Sequence, residues 1–378
     1  MLNVRVFRTW TLCVLFSIVV VLGAGCSLGD DDDNGGDDAA NTGATENGEA
    51  AGQAGGDGGL LQQVQDRGTL RCGVNDAVPG FGFVGEDGEP QGFDIDFCKA
   101  VAAAVLGDAE AVEYTPLTAE QRFTALQSGE IDVLIRNTTY TSSRDGTEGA
   151  RFLHTTFYDG QGMMVRADSG YESLEDLAGE TICVLSGTTT ELNLESQFQA
   201  LGVDYTPLAF EDNEPLQAAF VEERCGAWTS DKSQLAGIRS SWPEDQGGPD
   251  GLVILDETMS KEPLGPVVSD GDDQWADAVN WAVIATIQAE EFGLDSTNVE
   301  QGSDDPEIQR FLGQPVEGEP FDPGLGLPTD FAVAVVSQVG NYGEIFDRNV
   351  GADSALELPR DLNALWTDGG LQYAPPYR

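Results

Sequence analysis

From Leu60 onward the chain alternates between short apolar runs of strand length and longer segments of helical period, and it does so in two successive sets. In the first set TLRCGV (69–74), EAVEYTPL (110–117) and IDVLIRN (131–137) read as strands. Between them lie two helical patterns: GFDIDFCKAVAAAVLG (92–107), with Phe97, Val101 and Val105 four apart on one face, and AEQRFTALQSG (119–129). In the second set ETICVLSG (180–187), DYTPLAF (204–210) and CGAWTS (225–230) are strands, separated by helical patterns at 190–202 and 214–224. Such alternation predicts an α/β fold with largely parallel sheets. Each set also ends a strand in polar residues, RNTT in one and GAWTSD in the other. Open α/β sheets bind ligands outside the carboxyl ends of their strands, so two such lobes facing each other make a cleft. The glycine-containing runs YDGQGMMVR (158–166) and KEPLGPVVSDGDD (261–273) are placed to cross between the lobes.

The 378 residues suffice for two domains with real cores. Arg5 and Arg8 precede an eleven-residue, mainly apolar run (12–22) and then Gly23-Ala24-Gly25-Cys26. A bilayer core needs roughly 20 apolar residues, so this is an export signal rather than a span. Cys26 after Ala24-Gly25 resembles a bacterial lipobox, which predicts a lipidated N-terminus there; a plain signal peptide with an incidental cysteine is the other reading. Residues 27–59 are mostly Gly, Ala, Asp and Asn and cannot bury enough apolar surface to order, so they are expected to form an acidic tether.

Acidic residues number 66 against 18 basic ones, a net charge of -48. Nucleic-acid binding needs a basic patch and is excluded on that ground. The acid excess fits either a salty habitat or a compositional bias. In the mature body Cys72, Cys98, Cys183 and Cys225 belong to an exported chain, which favours disulfides. Of three connectivities, Cys72–Cys98 with Cys183–Cys225 closes one short span in each lobe and is preferred. There is no CxxC and a single histidine, His154, so neither a zinc site nor a cofactor is expected. His154, beside Phe152-Leu153, reads as structural.

The stretch NTTYTSSRD (137–145) sets six hydroxyl side chains, an amide, an arginine and an aspartate where a buried strand leaves its sheet. With FTALQSGEIDVLIR before it, and with YDGQGMMVR, GTTTELNL, SKEPLGPVVSDGDDQW, QVGNYGEIFDRNVG and LNALWTDGGLQYAPP, the chain resembles the general L-amino-acid-binding proteins of bacterial ABC importers (the AapJ/BztA type), which are family 3 extracellular solute-binding proteins. The likeness runs from about residue 60 to the C-terminus. It implies a two-lobed periplasmic-binding-protein-like fold of type II, with residues 60–163 and 266–378 in one lobe and 164–265 in the other. It further implies an extracytoplasmic monomer that closes on an L-amino acid, with broad side-chain acceptance, and delivers it to an ABC permease. A sensor's ligand-binding half or an enzyme on the same scaffold are the alternatives; an enzyme would need a positioned acid or base, and none stands out.

By the same resemblance Arg144 grips the ligand α-carboxylate, since a guanidinium offers two parallel hydrogen bonds. Asn137 and Thr139 complete that wall. Thr188 and Thr189 open a helix whose N-terminal amides attract the same carboxylate. Asp231 matches the acceptor of the α-ammonium, and Asn75, Phe81 and Tyr140 are expected to line the pocket. Taken alone, Arg144 could instead pair with Asp145 at the surface, and Asp231 could serve as a helix cap.

Overall fold

Phe93–Leu106 is the pivot of the first lobe: 11 of its 14 residues are buried, far more than the single Phe97-Val101-Val105 face. Its alanines let neighbours come close, and it packs against helices Asp273–Glu291 and Phe331–Gln338. This computed structural model describes residues 59–378, so the signal, Cys26 and the tether through residue 58 lie outside the described residues.

The first sheet has five strands in the spatial order Val112–Pro116, Leu70–Val74, Val133–Leu134, Val267–Ser269, Ala150–Phe152. The first three are mutually parallel and the last two run antiparallel to their neighbours. The second sheet repeats the plan with Thr206–Phe210, Thr181–Leu185, Ala227–Asp231, Gln161–Arg166 and Leu252–Ile254. Again three strands are parallel and two antiparallel. Alternation of side chains across a strand explains its apolar runs: Ile182 and Val184 enter one core, Cys183 and Leu185 the other. Each buried Leu, Val or Phe of this kind contributes about 1.5–3 kcal/mol.

Between the sheets Phe157–Asp159 pairs antiparallel with Glu262–Leu264, so the two crossings lie side by side as a hinge ribbon. The C-terminal segment grips this ribbon. The Tyr158 N–H donates to Asn363 Oδ1 at 2.7 Å, and the Tyr342 hydroxyl donates to the Thr156 carbonyl at 2.8 Å. Tyr342, Phe346 and Tyr377 are core residues, while Trp366 and Tyr373 stay exposed.

Cys72 is bonded to Cys98 and Cys183 to Cys225. The first bond ties the central helix to strand Leu70–Val74; the second ties strand Thr181–Leu185 to the entry of Ala227–Asp231. His154 is half-buried, its ring 3.3 Å from Gln372 Oε1, and burial pushes its pKa down. It is not among the residues that line the cavity between the lobes.

Candidate functional site

The carboxyl ends of both sheets face a small, polar-lined cavity between the lobes. Strand Leu70–Val74 delivers Asn75, Val133–Leu134 leads to Asn137 and Thr139, Thr181–Leu185 to Thr188 and Thr189, and Ala227–Asp231 ends in Asp231. Arg144 completes this set, so seven of the nine expected lining residues meet there.

Arg144 is brought in by a short helix, Ser142–Thr147, whose N-cap Thr141 accepts from the Arg144 N–H at 3.2 Å. The side chain turns inward: it is 9 % exposed and donates from Nη1 to the Thr139 carbonyl at 2.9 Å. It forms no ion pair with Asp145, which instead accepts from the Phe152 N–H and the Tyr140 hydroxyl. Burial lowers the Arg144 pKa, while Glu262 and Asp231 act to raise it.

Asn137 sits at φ 30°, a left-handed conformation uncommon for a residue with a side chain. Strain of that sort persists only where surroundings impose it, and here they do. Its N–H donates to Asp94 Oδ2 at 2.7 Å, its Oδ1 accepts from Asn75 at 3.2 Å, and its Nδ2 donates to Gln234 of the other lobe at 3.3 Å. Asp94 is buried, and that burial pushes its pKa up to about 7 despite the Asn137 bond and nearby Arg136.

From the second lobe Thr188 caps helix Thr189–Leu201, accepting from the Glu191 N–H at 3.1 Å. The first-turn amides of Thr189 and Thr190 have no intrahelical acceptor, and both residues line the cavity. The Thr189 hydroxyl itself donates to Glu262 Oε2 at 2.8 Å. Asp231 occupies the N-cap position of Lys232–Ser240 yet makes no side-chain cap bond. Its carboxylate is therefore not consumed by the helix. Burial drives the Asp231 pKa well up, reinforced by Asp159 and Glu262 and opposed by Asn137 and Arg144.

Two expected residues are not at the cavity. Phe81 is 1 % exposed and packs edge-on to Phe157 at 5.1 Å, because its ring completes the aromatic core around Phe93. Tyr140 is 42 % exposed and stacks on Phe152 at 4.7 Å, on the outer side of its loop. In exchange the cavity gains Arg122, Arg136 and Gln234, among others. Arg136 was visible as the residue before Asn137, but Arg122 lies inside a helical pattern with nothing in its spacing to mark it.

The lobes touch around this space. Thr139 Oγ1 lies 3.3 Å from Thr189 Oγ1, and Arg122 Nη2 donates to the Gly187 carbonyl at 3.4 Å. Gly237, on helix Lys232–Ser240, approaches the other lobe so closely that a Cβ there would stand 2.3 Å from the Pro79 carbonyl oxygen. Gly237→Ala is thus expected to prop the lobes apart and weaken ligand binding by about tenfold or more. The unliganded melting temperature should stay within a few degrees of wild type. Small-angle scattering with and without ligand, beside titration, checks this; unchanged affinity with normal closure would refute it.

Residues 70–293 match the family described as bacterial extracellular solute-binding proteins, family 3. The general L-amino acid-binding periplasmic protein AapJ of Rhizobium johnstonii is 49% identical over 331 residues, 87% of this chain and 96% of that protein. The glutamate/glutamine/aspartate/asparagine-binding protein BztA of Rhodobacter capsulatus is 47% identical, covering 84% of this chain and 93% of its own. Among solved structures, an ABC transporter periplasmic binding protein from Brucella ovis with glutathione bound superposes with a TM-score of 0.81 at 47% identity, over 84% of this chain and 99% of that one. With two like sheets, a hinge ribbon and a polar cavity enclosed between them, the chain belongs to the family 3 bacterial extracellular solute-binding proteins.

Proposed function

We propose that this protein is an extracytoplasmic receptor that captures L-amino acids between its lobes and delivers them to an ABC importer. The observation that carries the reading is the opposition of Arg144 and Asp231, a buried cation from the first lobe and a buried carboxylate from the second, lining one cavity. Opposite charges contributed by the two lobes suit a zwitterion. In this reading Arg144, with Asn137, Thr139, the N-cap Thr188 and the first-turn amides of Thr189 and Thr190, holds the α-carboxylate. Asp231 takes the α-ammonium, and Asn75 supports Asn137. The names of the AapJ and BztA relatives point the same way. The ligand touches both lobes, so only the closed form satisfies both charges and binding favours closure.

The moving units in this reading are residues 60–163 with 266–378, and residues 164–265, except that strand Gln161–Arg166, paired within the second sheet, moves whole with the second unit. The chain works as a monomer, held to the membrane through lipidated Cys26 on its acidic tether. A thermal-shift screen of the twenty L-amino acids and glutathione tests the ligand class, since a ligand at 100 times its dissociation constant adds about 2.7 kcal/mol. Recovery of the added amino acid unchanged separates a receptor from an enzyme. No shift with any amino acid would overturn the reading.

A further inference from the structure

Two carboxylates stand opposite each other on the hinge ribbon, Asp159 on one strand and Glu262 on the other, and neither lines the cavity. Like charges on paired residues are destabilising, and Glu262 is only 1 % exposed. Each is spent on the start of a helix of the second lobe. Asp159 Oδ2 accepts from the Ser233 N–H at 3.2 Å and from the Ser233 hydroxyl, in the first turn of Lys232–Ser240. Glu262 Oε2 accepts from the Thr189 hydroxyl at 2.8 Å, and its Oε1 from Asn193 Nδ2 at 2.9 Å and from the Ser260 hydroxyl. Thr189 and Asn193 lie one turn apart on the same face of Thr189–Leu201. Both helices begin at the cavity, where Thr188, Thr189, Thr190 and Asp231 line it.

Glu262 goes further than Asp159, through its partner. A hydroxyl has one proton to give. Thr189 gives its proton to Glu262, so toward Thr139 Oγ1 of the first lobe, 3.3 Å away, it can only accept. The polarity across the cleft is thereby fixed: Thr139 donates to Thr189 and Thr189 to Glu262. Thr139 keeps its backbone N–H, which has no acceptor among the described residues, for the ligand carboxylate. The loop that carries Thr139 is held to the same ribbon, the Tyr140 N–H donating to the Pro263 carbonyl at 2.8 Å and the Gly265 N–H to the Thr138 carbonyl at 3.2 Å. The backbone of the ribbon thus holds the loop of one lobe, while the Glu262 side chain holds the helix of the other. Among the carboxylates around Arg144, Glu262 also does most to keep that guanidinium charged, ahead of Asp231.

We infer that Glu262 is a positioning residue for ligand capture: it fixes the first turn of helix Thr189–Leu201 at the cavity and makes the Thr189 hydroxyl an acceptor for Thr139 of the opposite lobe, favouring the closed state without touching the ligand. The inference rests on the amino-acid reading of the cavity and names what holds it shut. A carboxylate suits the place because three donors converge on it and its oxygens only accept. Glutamine would set a donor of its own against them.

Stopped-flow binding and calorimetric titration of the full mature chain test this, with those L-amino acids that bind in the thermal-shift screen. The variants are Glu262→Gln, Thr139→Val, the two combined, Thr189→Ser and Thr189→Val. Glu262→Gln should weaken every bound amino acid by a common factor of about tenfold, what one hydrogen bond to a charged group supplies. The loss should lie in a faster dissociation, with association nearly unchanged, because the open form receives ligand as before. Thr139→Val should cost less, and the double variant should bind no more weakly than about Glu262→Gln alone, since both cut one relay. Thr189→Ser, which keeps the hydroxyl, should bind as wild type, and Thr189→Val should fall with Glu262→Gln.

A Glu262→Gln variant that binds and dissociates as wild type overturns the inference, and so does a loss carried by the association rate. Losses that multiply in the double variant overturn it too, since a merely structural Glu262 would act independently of Thr139. Should Glu262→Gln fail to fold, equal affinity of Thr189→Val and Thr189→Ser would overturn it instead. All these results leave the amino-acid reading standing; that reading fails separately, if no amino acid binds wild type at all.

Discussion

Arg144→Ala and Asp231→Ala are each expected to weaken every L-amino acid by roughly 30-fold to several thousand-fold, about 2–5 kcal/mol, because either leaves the ligand's opposite charge desolvated and unpaired. The two changes differ in what they do to the empty protein. Asp231 carries a buried carboxylate that burial, Asp159 and Glu262 all disfavour in its ionised form. Asp231→Asn removes that charge with little change of shape, so the unliganded protein should melt higher while binding is lost. A residue kept at a cost to stability is what a binding site predicts and a structural cap does not. Arg144→Lys should restore only part of the affinity, since lysine lacks the paired donors of the guanidinium. Titration with several amino acids and with a decarboxylated analogue, beside melting curves, decides the matter. Wild-type binding by Arg144→Ala, or equal binding of the decarboxylated amine, would sink the assignment.

Acidification should stabilise the unliganded protein and loosen its hold on ligand. Asp94 is pushed up to about 7 and Asp159 to about 6, both first by burial, and Asp231 shifts in the same direction. The ordinary aspartate value is 3.8. Between that value and about 7 the folded chain therefore holds protons that the unfolded chain has released. Stability falls with rising pH wherever the folded state binds more protons, which is the reverse of a carboxylate whose pKa is depressed by folding. The unliganded melting temperature should accordingly be higher at pH 5 than at pH 7.5, with no further gain from these groups once pH drops below 3.8. Easing of the overall negative charge acts in the same sense. Ligand binding has the opposite dependence, because the α-ammonium needs an ionised Asp231. Calorimetric scans at several pH values, with and without ligand, test both halves. Asp94→Asn should flatten the slope for the empty protein, and a melting temperature that is flat or falls from pH 7.5 to pH 5 would contradict the account.

The groups behind both predictions differ in how readily the sequence announces them. Asp94 sits in the helix segment GFDIDFC and looks like an ordinary first-turn acid; only its burial beside Asn137 and Arg136 changes its chemistry. Asp231 and Arg144 were legible through the family likeness, because each follows a strand end at a recognisable motif. That neither is spent on the local partner nearest in sequence, a helix cap for one and Asp145 for the other, required coordinates.

The sequence by itself determined the alternation of strands and helices, the division into two similar sets, the two crossings and the polar strand ends. These are local properties: side-chain period, turn residues and the break between apolar and polar runs all act over a few neighbours. Only the tertiary structure decided which side chains of those elements face the space between the sheets. Phe81 and Arg122 show why. Phe81 lies only six residues after Asn75, in the turn before strand Gly82–Val84, but the aromatic cluster of Phe93 and Phe157 offers its ring a drier place than the cleft. Arg122 belongs to a short helix whose rotation about its axis is set by packing on the first sheet, and that rotation, invisible in any run of neighbouring residues, buries its guanidinium at the cavity wall.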